Sequence, residues 1–141
     1  AYNDLHLILK HAHWNVVGPN FIGVHEMLDP EVEAIRANAD AVAERIAALG
    51  GEPIGTPDSH SPGREPLQYP VNKGSTVQHL TALNEIYDKV IIDSREADAA
   101  LDQLDPVSED MFIGQIGAME QFQWFIRAHL ENASGDLPDG Q

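Results

Sequence analysis

The chain of 141 residues contains no cysteine. Disulfides are therefore excluded, and so is every thiolate metal site. Any metal bound here must be held by nitrogen and oxygen. Basic residues are scarce. Eight Lys and Arg stand against 23 Asp and Glu, for a net charge of −15. They form no cluster or basic run, so nothing visible would grip a phosphate backbone, and the net charge opposes one. Long apolar runs are missing too. None approaches the ~20 residues of a membrane span, and no signal peptide is apparent. The expected location is cytoplasmic. What remains is an acidic chain, 43% hydrophobic, long enough for one domain with a sizeable core. Its negative field concentrates cations, but acidity alone assigns no function.

The hydrophobic spacing predicts four helices, over about 1–17, 22–49, 75–103 and 107–133. Val17-Gly18-Pro19-Asn20 ends the first, and Gly50-Gly51 stops the second. Asp105-Pro106 reads as a cap followed by proline in the first turn of the fourth. Pro30 should kink or interrupt the second helix, since it removes a hydrogen bond to the Glu26 carbonyl. The apolar stripe nevertheless stays in phase on both sides, so one kinked helix is expected. Residues 50–74 contain five prolines and are long for a bundle connection. A connection of that length can run the length of a bundle and leave helices two and three parallel. Four helices with one long crossover are the ferritin-like arrangement. The expected domain is 1–133, followed by a flexible tail, 134–141. The chain opens at Ala1 without an initiator Met and is helical in pattern by Leu5. Residues preceding Ala1, and others following Gln141, are thus expected in the full product, with the first helix truncated.

Five residues form the constellation that carries chemistry: His13, His25, Asp29, Asp40 and Glu44. His25 and Asp29 are four residues apart, as are Asp40 and Glu44. On one helix all four project within a sector of about 100°. Yet His25 and Asp40 lie roughly 22 Å apart along the axis, whereas ligands of one metal sit about 2 Å from it. One copy cannot close this site. Two antiparallel copies can, and a two-fold dimer would build two identical sites. A tight hairpin at Gly18-Pro19 would add His13 beside His25. Two imidazoles and three carboxylates suit Fe(II), Mn(II) or Zn(II). Alone, each i, i+4 pair is more often a solvated helix face; their shared phase beside the apolar stripe raises the metal reading.

The stretch His13-Trp14-Asn15-Val16-Val17-Gly18-Pro19-Asn20-Phe21, then Val24-His25-Glu26-Met27-Leu28-Asp29, then Asp40 through Ala43-Glu44-Arg45 to Leu49-Gly50, closely resembles the Dps family, the mini-ferritins. It is close to the actinobacterial members. The resemblance is strongest over 2–50 and extends in helix lengths to about 133. It implies a homo-dodecamer built from two-fold dimers, with a two-iron ferroxidase centre at each dimer interface. His13, His25 and Asp29 would come from one subunit, and Asp40 and Glu44 from its mate. It implies oxidation of Fe(II) by hydrogen peroxide or oxygen, storage of ferric mineral in the shell, and protection of DNA from oxidative damage. Many members bind DNA through basic terminal tails, which these residues do not contain. The rival readings are a nucleoid-compacting protein with secondary iron chemistry and a passive bundle.

Other residues carry weaker expectations. Trp14, next to a ligand, is a candidate radical sink by resemblance and equally a packing residue. Asp105 and Asp110 sit where the family lines the pores through which iron enters; an ordinary acidic helix start is the bland alternative. Trp124 and Tyr87 are expected in the core. His6 is expected to pack or to support His13 from behind. His11, His60, His79 and His129 lack carboxylate partners at helical spacing and are read as non-ligands.

Overall fold

A computed structural model describes residues 1–56 and 65–131. Within them the chain forms α1 (Tyr2–Asn15), β1 (Val16–Val17), α2 (Phe21–Ala48), β2 (Gly74–Ser75), α3 (Thr76–Leu101) and α4 (Pro106–Glu131). The fold is an all-α, ferritin-like four-helix bundle. The expected tail, 134–141, and His60 lie outside the described residues.

Each helix buries part of the stripe that its spacing marks out, while Ile46 of α2 and Val77 of α3 stay exposed in the single chain. Leu5, Ile8, Leu9 and Ala12 of α1 meet Val24, Leu28, Val32 and Ile35 of α2 in one core. Leu80, Leu83, Tyr87, Val90 and Ile91 of α3 and Ile116, Met119 and Ile126 of α4 complete it. Tyr2 ties the halves together, donating to Gln115 Oε1 at 3.0 Å. The helix ends follow local chemistry. Ser75 and Gln78 form a reciprocal capping box at the start of α3. At the end of α2, Gly51 N–H reaches the Ile46 carbonyl at 2.9 Å and Gly50 N–H the Ala47 carbonyl at 3.0 Å. That is a Schellman closure, with Gly50 at φ 84°.

α2 runs through Pro30 without interruption. The buried stripe stays in phase across it, so packing outweighs the one lost hydrogen bond. The first helix is shorter than the expected 1–17. Val16 and Val17 leave it to pair in parallel with Gly74 and Ser75. This small bridge decides the topology. It sets the start of α3 against the hairpin that starts α2, and Thr76 Oγ1 donates to the Pro19 carbonyl at 3.1 Å. α2 and α3 therefore begin at the same end of the bundle and run the same way. The connection after α2 must return along its 28 residues, about 42 Å at 1.5 Å per residue. On that return Leu67 N–H donates to Asp4 Oδ2 at 3.0 Å, beside the start of α1.

One core expectation fails. Tyr87 is fully buried, but Trp124 is 56% exposed. Its position on α4 faces outward from the single chain, because Gln123 and Ile126 take the inward positions.

Candidate metal centre

The α1–α2 hairpin brings His13 and His25 face to face. Their rings stack with centroids 3.7 Å apart and planes 20° from parallel. Each Nδ1 lies on the other residue's main-chain carbonyl: His13 Nδ1 is 2.8 Å from the His25 oxygen, and His25 Nδ1 is 2.9 Å from the His13 oxygen. A carbonyl can only accept, so both Nδ1 atoms carry the proton. The reciprocal pair thereby leaves the Nε2 lone pair of both rings free, which is the tautomer a metal ligand needs. His13 is buried and His25 half-buried. The two orientations are thus set by backbone rather than by mobile side chains.

Asp29 follows one turn after His25. Its Oδ1 lies 3.4 Å from His13 Nδ1 and 2.7 Å from Lys10 Nζ. Lys10 above all, with the nearby histidines, holds the Asp29 carboxyl below its ordinary range. It therefore stays an anion. Lys10 was missed in the sequence, although its position three residues before His13 puts it on the same face.

Asp40 and Glu44 are exposed on the far half of α2. The structure does not bring them to the histidines, since one continuous helix separates them. Among the described residues, no three His or carboxylate side chains of one chain are placed to hold a metal ion together. A single copy therefore holds the candidate ligands as two separated groups, His13 of α1 with His25 and Asp29 of α2, and Asp40 with Glu44 further along α2. Nitrogen and oxygen donors of this kind fit a hard or borderline divalent metal such as Fe(II).

These halves can be set beside known proteins. The ferritin-like domain family matches residues 1–135. The DNA protection during starvation protein of Mycolicibacterium smegmatis is 56% identical over 137 residues, covering 97% of this chain and 75% of that one. The chain belongs to the Dps family. A solved structure of Mycobacterium smegmatis Dps superposes with a TM-score of 0.89 at 55% identity, covering 97% of this chain and 84% of that one. DpsA14 from Streptomyces coelicolor gives 0.88 at 52% identity, covering 97% and 82%. The Dps resemblance read from the histidine segment, and its actinobacterial character, are confirmed.

The remaining residues fall into place on this Dps bundle. Trp14 is 69% exposed in the single chain, outside its core. Asp105 accepts from Arg45 Nη2 with both oxygens at 2.7 Å. It also takes the Ser108 hydroxyl and main-chain N–H, as an N-cap does. Arg45 first, then Ser108, keeps its carboxyl below the ordinary range. Its charge is thus spent on joining α2 to α4, which weakens its expected pore role. Asp110 is exposed. His11 and His129 lie on the main-chain carbonyls of Val71 and Phe125. The Tyr69 hydroxyl lies on His79 Nδ1 at 2.7 Å. The His6 Nδ1 is buried without a partner.

A second missed residue is Glu31, fully buried on α2. It accepts from the Tyr87 hydroxyl at 2.8 Å, while its other oxygen has no partner. Burial pushes its carboxyl up from 4.5 to about 8, against the opposing Tyr87 bond. The signal was legible: Leu28, Glu31, Val32 and Ile35 share the inward phase.

Proposed function

We propose that this chain is a ferroxidase subunit whose metal site is completed by a second copy. The observation that carries it is the His13–His25 pair, with both Nε2 atoms freed by backbone bonds, where His25 shares its face of α2 with Asp40 and Glu44. In a two-fold dimer, His13, His25 and Asp29 of one chain meet Asp40 and Glu44 of the other. Fe(II) is the substrate. Imidazoles and carboxylates bind a pair of Fe(II) ions, and the carboxylates stabilise the ferric product because a harder ion prefers oxygen. Hydrogen peroxide takes one electron from each of two Fe(II) ions, its O–O bond breaks, and with two protons its two oxygens become two water molecules; oxygen is the alternative oxidant. The ferric product is stored as mineral inside a dodecameric shell in the cytoplasm. Consuming Fe(II) and peroxide together protects DNA, the role carried in the name of the 56% identical relative. A DNA-compacting role is disfavoured for these residues by their charge of −15.

Complementation tests the shared site. One variant carries His13→Ala and His25→Ala, the other Asp40→Ala and Glu44→Ala. Each alone should be inactive. After joint dissociation and reassembly, a mixed dimer has one site with its histidine half from one chain and its carboxylates from the other. With random pairing, roughly a quarter of wild-type iron oxidation should return. No recovery, with mixed assembly verified by mass spectrometry, would refute a site shared between chains.

A further inference from the structure

We infer that Glu33 and Arg36 form the charge key that sets the register of the two copies, each pairing with Arg36 and Glu33 of its mate at the two-fold axis. The inference rests on the shared site proposed above and goes beyond it by naming what aligns the helices.

One face of α2 carries the whole arrangement. At about 100° per residue, His25, Asp29, Glu33, Arg36, Asp40 and Glu44 all project within one sector about 100° wide. Five of these six side chains are exposed in the single chain, and His25 is half-buried. Across an antiparallel pair, facing residues have numbers that add to a constant. Seating His25 opposite Glu44 also seats Asp29 opposite Asp40. The same register places Glu33 opposite Arg36, and Arg36 opposite Glu33, about the centre of the contact. Glu26 then faces Ala43.

Electrostatics makes this pairing decisive. α2 carries six carboxylates and two basic residues, Arg36 and Arg45. Arg45 is committed to Asp105. Arg36 is thus the only other cation the helix can offer a second copy. Its bond to Glu33 within the chain is a single contact at 3.5 Å, with the two side chains 61% and 73% exposed. Such a contact leaves most of the guanidinium's donors free. In the dimer each guanidinium gains a second carboxylate. Two such pairs hold the antiparallel register, while Asp29 facing Asp40 repels until cations are bound. A shift of one helical turn in one direction would set Glu33 against Asp40 and Arg36 against Ala37. A shift in the other would set Arg36 against Asp29, whose carboxylate Lys10 already holds at 2.7 Å, leave Glu33 facing the buried Val32 and carry Glu44 away from His25. Only the unshifted register gives both Glu33 and Arg36 a partner of opposite charge while seating His25 opposite Glu44, and it does so self-complementarily, as an isologous contact requires.

The test uses charge reversal. Glu33→Arg gives chains in which Arg faces Arg at the axis; Arg36→Glu gives chains in which Glu faces Glu. Each alone should dimerise roughly tenfold more weakly than wild type, since like charges then meet twice. Mixed together, they should pair with each other in more than about nine dimers in ten, where chance gives half. Native mass spectrometry of isotope-labelled chains reads this directly. The doubly swapped chain, with both substitutions, should dimerise with itself and reject wild type. Both residues are exposed, and helical circular dichroism checks that each variant folds. Loss of the contact within the chain is common to all pairings, so it cannot bias partner choice. Random pairing of the two single variants, or indifference of the double variant to wild type, overturns the key. If wild type oxidises iron while pairing is random, the key alone fails; if wild type binds no Fe(II), the ferroxidase reading fails first.

Discussion

Replacing Glu31 by Gln should make the protein's stability less sensitive to pH. The wild-type carboxyl has no solvent exposure and one hydrogen bond, from Tyr87. Its value rises from 4.5 to about 8. Below 4.5 the native and unfolded chains both hold the proton, and Glu31 costs nothing beyond burial of a neutral acid. As the pH climbs, the unfolded chain releases its proton while the native chain keeps it. Unfolding is therefore favoured increasingly, until the native carboxyl itself ionises near pH 8. At about 1.4 kcal/mol per pH unit, wild type loses roughly 3.5 kcal/mol between about pH 5 and about pH 8 from this group. Full burial means that solvent screening does not reduce the figure. The amide oxygen of Gln can still accept from Tyr87, and its unpaired NH₂ costs about 1–3 kcal/mol at every pH. The Glu31→Gln variant should therefore match or trail wild type near the acid end of that range and exceed it at the alkaline end. The assay is urea unfolding of both proteins at equal concentration across the range. A difference between them that does not change with pH would refute the reasoning. It would mean that Glu31 is ionised in the native core and neutralised by a partner.

Other outcomes follow from the same geometry. These 141 residues should bind DNA weakly or not at all at about 150 mM salt, because no basic segment releases counterions; a gel shift with steep salt dependence would contradict this. Asp110→Asn should slow iron uptake at low ionic strength if carboxylates at the start of α4 attract Fe(II). Asp105→Asn should instead lower thermal stability by releasing Arg45 and the α4 cap. If Asp105→Asn slows uptake and leaves the melting temperature unchanged, the two assignments are reversed. Gly50→Ala should cost about 1 kcal/mol by denaturant unfolding. The added methyl meets no atom within 4 Å, so the φ of 84° is its only penalty. A neutral result would show that the closure of α2 tolerates an L-residue.

The sequence by itself determined which faces pack and which candidate ligands exist. Helical spacing marks the stripes of all four helices, because burial selects a period of about 3.6 residues. Gly50-Gly51 marks the end of α2, because only glycine adopts its terminal φ without strain. The long, proline-rich connection indicates the crossover. The spacing of His25, Asp29, Asp40 and Glu44 indicates that one copy is insufficient, since a rigid helix sets their separation. Tertiary structure decided the rest. Val16 and Val17 leave α1 because their backbone finds Gly74 and Ser75, a pairing between segments far apart in sequence that no local pattern encodes. The tautomers of His13 and His25 depend on carbonyls across the hairpin. Asp105, which looks free in the sequence, is claimed by Arg45, 60 residues earlier. Trp124 follows an apolar pattern yet faces outward from the single chain, because periodicity reports a face and not what covers it. Glu31 shares the inward phase, but only its full burial against Tyr87 turns an ordinary carboxylate into an acid that holds its proton at neutral pH.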